Sequence, residues 1–187
     1  MASTNPGKIR EILQVLEGLP LTVETLAGRP SIPEPEESGL TFAANAELKA
    51  AYYALRVSMP VVAEDSGLAI DALGGRPGVL SARYPGETYE EKFANLYREL
   101  APHPRPWTAR FVCSLALSDA DRVLFSCEAT VEGEIAPAPR GAHGFGYDPI
   151  FFYPPYGKTL GEATDDEKLV ISHRGKAFRH LRDWLAS

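Results

Sequence analysis

The stretch PVVAEDSGLAIDALGG, residues 60–75, decides how this chain is read. Val61 to Ala63 have the apolar, partly β-branched character of a short buried strand, and Leu68 to Leu73 predict another. Between them Glu64-Asp65-Ser66-Gly67 interrupts the apolar run with two acids, a hydroxyl and a glycine, which predicts a turn. A carboxylate at a strand end can ligate Mg²⁺ or take a proton from water. The same residues can equally close a hydrogen-bonded Asx-type turn with no chemistry.

On the N-terminal side, Ile9, Ile12, Leu13 and Leu16 recur at helical spacing, so residues 6–17 predict an amphipathic helix ending near Gly18. Leu21 to Leu26 predict a strand, and Pro30, Pro33 and Pro35 a loop carrying Glu34, Glu36 and Glu37. Thr41 caps a second helix with an apolar stripe at Leu48, Ala51, Tyr52 and Leu55. Asn45 and Lys49, four apart, share a face away from that stripe. On the C-terminal side, Thr88 and Glu91 form a capping box for a helix that turns Phe93, Leu96, Tyr97 and Leu100 inward. Residues 109–132 change to period two around Ser118-Asp119-Ala120-Asp121, the pattern of an antiparallel hairpin. The segment GAHGFGYDPIFFYPPYGK is rich in glycine, proline and aromatics. A last helix begins near Ser172 and buries Phe178, Leu181 and Leu185. This order predicts an α/β or α+β fold around a mixed sheet, in a single domain spanning residues 1–187.

Composition narrows the function. Of 187 residues, 44% are hydrophobic and 24% charged, an ordinary globular profile. The net charge of -6 argues against a general nucleic-acid binder, whose affinity comes from many Lys and Arg contacts to phosphate. Cys113 and Cys127 have no metal-ligand spacing and read as thiols. No run approaches the ~18 apolar residues of a membrane span, and no basic, apolar leader opens the chain. The expectation is a cytoplasmic protein with no membrane or nucleic-acid partner.

Four groups of residues can carry chemistry. In ASTNPGK, residues 2–8, Asn5 reads as an N-cap and Pro6 as the first helical residue. Taken alone the stretch is a solvated turn; its sharper reading is an anion site built from the free N–H groups of the first turn, with Lys8 one turn in. Lys49 supplies a second cation, while Asp65 and the Glu36-Glu37 pair supply carboxylates. Together these are the parts that hold Mg²⁺ and a polyphosphate, since Mg²⁺ takes one or two protein carboxylates and completes its shell from phosphates and water. No G-x-x-x-x-G-K-[ST] loop is present, and Gly144-Gly146 lacks the rest of a dinucleotide fingerprint. In Phe145-Gly146-Tyr147-Asp148 an aromatic face can stack on a base and a carboxylate can accept from base N–H groups, or the rings can plug the core. Ser172-His173-Arg174 places two cationic donors at a helix start, against the helix dipole, a mild sign of function over folding.

With those pieces in order, the chain resembles the inosine/xanthosine triphosphate pyrophosphatase family. The matching segments are STNPGK (3–8), EESGLTFAANAELKA (36–50), EDSGLAIDALGGRPGVLSARYPG (64–86), GFGYDPIF (144–151), GKTLGEATDDEK (157–168) and SHRGKA (172–177). The resemblance implies a two-lobed α/β fold around a long mixed sheet with the active site in the cleft between lobes, usually as a homodimer. It implies Mg²⁺-dependent hydrolysis of ITP, dITP or XTP to the monophosphate and pyrophosphate. Carried over by motif, Ser3, Thr4, Asn5, Pro6, Gly7, Lys8, Lys49 and Ser66 hold the triphosphate. Asp65 is the general base and a metal ligand, with Glu36 or Glu37 as the second ligand. Phe145 stacks on the base, Gly146 and Tyr147 of its loop also bind substrate, and Asp148, His173 and Arg174 read the base edge with Lys168 near it or the sugar-phosphate. Two departures stand out: only Met1 and Ala2 precede Ser3 where the family has an apolar strand, and Ala44 replaces a usual Glu. A shortened strand is expected to loosen the phosphate loop. The rival readings are a nucleotide-binding module without catalysis and a related pyrophosphatase for modified pyrimidine nucleotides.

Overall fold

The computed structural model describes residues 1–26 and 32–187; the expected loop proline Pro30 lies outside them. Helices run α1 Pro6–Leu16, α2 Phe42–Val57, α3 Tyr89–Leu100, α4 Asp165–Ile171 and α5 His173–Ala186. Strands are β1 Val61–Ile70, β2 Arg76–Pro77, β3 Thr108–Asp119, β4 Arg122–Ile135, β5 Phe151–Tyr153 and β6 Lys158–Thr159, joined in the order β2-β1-β3-β4-β5-β6. The fold is mixed α/β, as expected. The β1–β2, β4–β5 and β5–β6 pairs are antiparallel. Ala2 makes a parallel bridge to Ala63, with the Ala2 N–H donating to the Val62 carbonyl at 2.8 Å. The short lead-in before Ser3 therefore still pairs with β1.

The chain divides into two compact units, one made of Met1–Ser66, Cys113–Ala129 and His173–Ser187, the other of Gly67–Val112 and Thr130–Ser172. In the first, α1 packs on α5, and α2 packs through alanines: Ala46 and Ala50 join Ala63 of β1 and Ala116 of β3 in one buried cluster. Methyl side chains let the helix approach the strands closely. That contact corrects the expected stripe, because the buried face of α2 is Asn45, Ala46, Ala50, Tyr53 and Ala54, while Leu55 is 57% exposed. Asn45 is thereby turned toward the sheet rather than away from it. The second unit has the larger apolar core, with Leu68, Ile70, Leu96, Leu100, Ile150 and Phe151 fully enclosed.

Several local expectations hold. Asn5 caps α1, Thr41 caps α2 and Thr88 caps α3. The capping box at α3 is half formed, since Glu91 accepts from the Glu87 N–H instead of that of Thr88. Phe178 and Leu181 of α5 are buried as expected, whereas Leu185, near the end of the helix, is exposed. Others do not hold. Leu21 to Leu26 form no strand. Helix α4, with a complete Thr164–Glu167 capping box, precedes α5 where no helix was expected. The turn expected at Glu64-Asp65-Ser66-Gly67 is instead the middle of the ten-residue strand β1. Among the described residues, no helix is long and apolar enough to cross a membrane.

Candidate active site

Strand β1 carries adjacent acids on its two faces, as the two-residue strand period requires. Both are buried, and each is compensated within the first unit. Glu64 is paired with Lys8 at 2.5 Å and lies 3.6 Å from Arg174. Burial opposes its ionisation, but the charges of Lys8 and Arg174 outweigh burial and hold it well below the ordinary carboxylate range. Asp65 accepts from Lys49 Nζ at 3.0 Å and from Asn45 Nδ2 at 3.2 Å. Here burial wins over the pull of Lys49, with the charge of Glu37 adding to it, so the Asp65 carboxyl sits above its usual 3.8. A raised carboxylate is the better proton acceptor of the two.

Lys49 also donates to Glu37 Oε1 at 2.6 Å. Burial alone would lower its pKa, yet Asp65 and Glu37 raise it above 10.5, so the ammonium stays charged. Asn45 is held in turn by the Gly39 N–H, which donates to its Oδ1 at 2.8 Å. A Cβ at Gly39 would sit 2.5 Å from that oxygen, so a side chain there would push the Asn45 amide out of place. Within the choice left open between Glu36 and Glu37, it is Glu37 that turns in to Lys49, whereas Glu36 is exposed.

The segment expected to hold the triphosphate forms the capped start of α1. Asn5 Oδ1 accepts from the N–H groups of Gly7 at 2.9 Å and Lys8 at 3.1 Å, Ile9 N–H donates to the Asn5 carbonyl, and Pro6 has none. Asn5 thus caps the first turn of α1 as expected, taking up the Gly7 and Lys8 N–H groups. Thr4, Asn5 and Pro6 are exposed, and Ser3, Gly7 and Lys8 are half-buried. The positive charge at this end comes from Lys8.

Arg174, only 2% exposed, donates from Nη1 to Glu11 at 2.7 Å and from Nη2 to Ser66 Oγ at 2.9 Å. Burial would lower its pKa, but Glu64 and Glu11 keep it fully charged. Its fork ties α1 to β1. The neighbouring His173 is buried at the start of α5. Glu64, Asn45 and Glu11 are members of this cluster to which sequence reading assigned no role. The signal for Glu11 was its position three residues after Lys8 on one helix face.

In the second unit, Asp148 and Lys168 form a buried ion pair at 2.7 Å. The Phe145 N–H donates to the same Asp148 oxygen at 2.8 Å, and Lys168 Nζ lies 4.3 Å from the Phe145 ring centroid. Phe145 and Gly146 are half-buried, but Tyr147 is enclosed, 4% exposed. The carboxylate thus organises its own loop and presents a half-buried aromatic ring beside a cation.

Whether the first unit suits a divalent metal can be judged from its charges. Glu11, Glu37, Glu64 and Asp65 face Lys8, Lys49 and Arg174, an excess of one negative charge. Glu37 and Asp65 converge on one ammonium, so a cation already stands between two hard oxygen donors. A carboxylate pair is what Mg²⁺ uses when phosphates and water supply its remaining ligands. The residues fit.

An α/β protein with such a buried cluster of acids and cations is equipped to hold a polyanion together with a metal ion. The Ham1 family model matches residues 1–184, and the chain belongs to the Ham1 family. It is 48% identical over 184 residues to the dITP/XTP pyrophosphatase of Geobacillus kaustophilus (strain HTA426), covering 97% of this chain and 90% of the relative. It is 46% identical over 185 residues to the dITP/XTP pyrophosphatase of Bacillus subtilis (strain 168), covering 97% and 93%. A HAM1 protein from Coxiella burnetii has the same fold, with a TM-score of 0.92 and 39% identity over 99% of this chain and 96% of that one.

Proposed function

We propose that this protein hydrolyses the non-canonical purine nucleotides dITP, ITP and XTP to the nucleoside monophosphate and pyrophosphate, with Mg²⁺. The observation that carries this reading is the convergence of Glu37 and Asp65 on Lys49, in a chain whose close relatives are named dITP/XTP pyrophosphatases.

Glu37 and Asp65 would hold the metal ion, which when bound offsets charge on the leaving pyrophosphate. Asp65 takes a proton from water as the water oxygen bonds to the α-phosphorus and the bond to the pyrophosphate oxygen breaks. Asn45 keeps the carboxylate oriented. Lys8 and Lys49 turn from Glu64, Glu37 and Asp65 toward the phosphates, with Ser66 and the residues from Ser3 to Gly7 lining that end. Phe145 stacks on the base, while Asp148 and Lys168 lie at its edge. His173 and Arg174 donate to the 6-keto oxygen, Arg174 from a fork already fixed by Glu11 and Ser66. An adenine 6-amino group would face those donors with another donor, a mismatch of about 1–3 kcal/mol per unsatisfied group.

The whole chain works as one catalytic domain in this reading, in the cytoplasm and as a homodimer, on free nucleotides rather than on nucleic acid or membranes. The test is product analysis with ITP, XTP, GTP and ATP in the presence of Mg²⁺. Monophosphate and pyrophosphate from ITP and XTP, with little from GTP and ATP, is the expected result. Release of orthophosphate instead would overturn the reaction.

A further inference from the structure

We infer that Tyr147 is a positioning residue that latches the base loop through Ser81, and does not itself touch the substrate. Phe145 lies between Gly144 and Gly146, which have φ of +73° and +66°. Two left-handed glycines in three residues leave a loop that needs outside anchors to hold an aromatic face still. One anchor is the Asp148 carboxylate on the Phe145 N–H. The other is Tyr147, whose hydroxyl donates to the backbone carbonyl of Ser81 at 2.7 Å. Its ring is clasped by α3, edge-on to Tyr89 at 5.4 Å and tilted against Phe93 at 6.1 Å. Burial raises the phenol well above its ordinary pKa, so it stays protonated and remains the donor.

Ser81 is itself fixed to β1. Its Oγ accepts from the Leu68 N–H at 2.9 Å and donates to the Gly78 carbonyl at 2.6 Å. The approach is close enough that a Cβ on Gly67 would lie 2.6 Å from the Gly78 oxygen and 2.9 Å from Ser81 Cβ. A chain of contacts therefore runs from β1 at Leu68, three residues after Asp65, through Ser81 and Tyr147 to the loop carrying Phe145 and Asp148. With both its hydroxyl and its ring engaged in the interior, Tyr147 acts on the base only through that loop.

The inference rests on the nucleotide reading above, and its test separates the two. Dissociation constants for IMP, which carries the base, and for inorganic tripolyphosphate, which does not, are measured by calorimetry on the wild type and Tyr147→Phe. The ring is kept and one buried hydrogen bond is removed, so IMP should bind about 3–10-fold more weakly, with tripolyphosphate unchanged within about twofold. Ser81→Ala, which frees the turn but spares the carbonyl, should show the same split. Parallel weakening of both ligands means general loss of structure and overturns the latch, as does unchanged IMP affinity. A wild type that binds IMP but does not hydrolyse ITP contradicts the proposed reaction alone; one that binds neither IMP nor ITP overturns both.

Discussion

Lys49 Nζ lies 3.0 Å from Asp65 Oδ1, and the same ammonium lies 2.6 Å from Glu37. The lysine therefore balances the two acids that the proposed reaction assigns to metal and water. Catalysis on this account begins with an exchange of partners.

Asp65→Asn removes the proton acceptor while keeping the shape and a hydrogen-bonding group. Turnover of ITP should fall by about 10²–10⁴-fold, with ITP binding by calorimetry preserved. Equal losses of binding and turnover would assign Asp65 to substrate binding alone.

Glu37 and Glu36 are adjacent but not equivalent. Glu37→Gln should raise the Mg²⁺ concentration for half-maximal activity about tenfold or more, the scale of damage to a metal site. Glu36 is exposed, and Glu36→Gln should leave that concentration within about twofold. Metal titrations of both variants check the assignment, and a reversed order would move the ligand to Glu36.

The Lys8–Glu64 pair predicts an acid limb in stability. Glu64 titrates lower in the folded protein than its unfolded value of 4.5. Between those values the unfolded chain binds the extra proton, so stability rises with pH there. The contribution is complete above pH 4.5 and is lost as pH falls below it. Asp65, shifted the other way, opposes this slope, so the informative quantity is the difference between wild type and Glu64→Gln. Urea unfolding from pH 3 to 7 should show that difference shrinking toward low pH. At neutral pH the variant, in which Lys8 loses its carboxylate while Arg174 keeps Glu11, should lose about 1–3 kcal/mol.

Ala50 has no exposed surface in the seam between α2 and the sheet. Ala50→Leu should cost about 1–3 kcal/mol by overpacking and reduce activity by shifting Lys49 and Asn45. Leu55→Ala, on the exposed face, should change stability by less than about 0.5 kcal/mol. Thermal melts and assays of the pair test which face of α2 is inside.

The same seam shows what could be read before folding. Caps are local, so Asn5, Thr41 and Thr88 announced their helices; the hairpin of β3 and β4 was equally plain from its period. The face of α2 was not, because hydrophobicity favoured Leu48 and Leu55, while close packing selected alanines. Strand β1 looked broken, since two acids, a serine and a glycine suit a turn. Their partners, Lys8, Lys49, Asn45 and Arg174, come from distant segments, and tertiary pairing keeps the strand continuous. The choice of Glu37 over Glu36 is likewise a matter of which side chain turns to Lys49. Helix α4 has its start in the Thr164–Glu167 capping box, but its seven residues lie in a polar run with no apolar stripe to mark them.

Following the products from ITP, XTP, GTP and ATP with Mg²⁺, with pyrophosphate resolved from orthophosphate, decides the reaction and its specificity together. Pyrophosphate and monophosphate should appear in equal amounts from ITP and XTP, with little from GTP or ATP, and about 10²–10⁴-fold more slowly with Asp65→Asn. Equal turnover of ATP and ITP, or orthophosphate as the primary product, would contradict the proposed function.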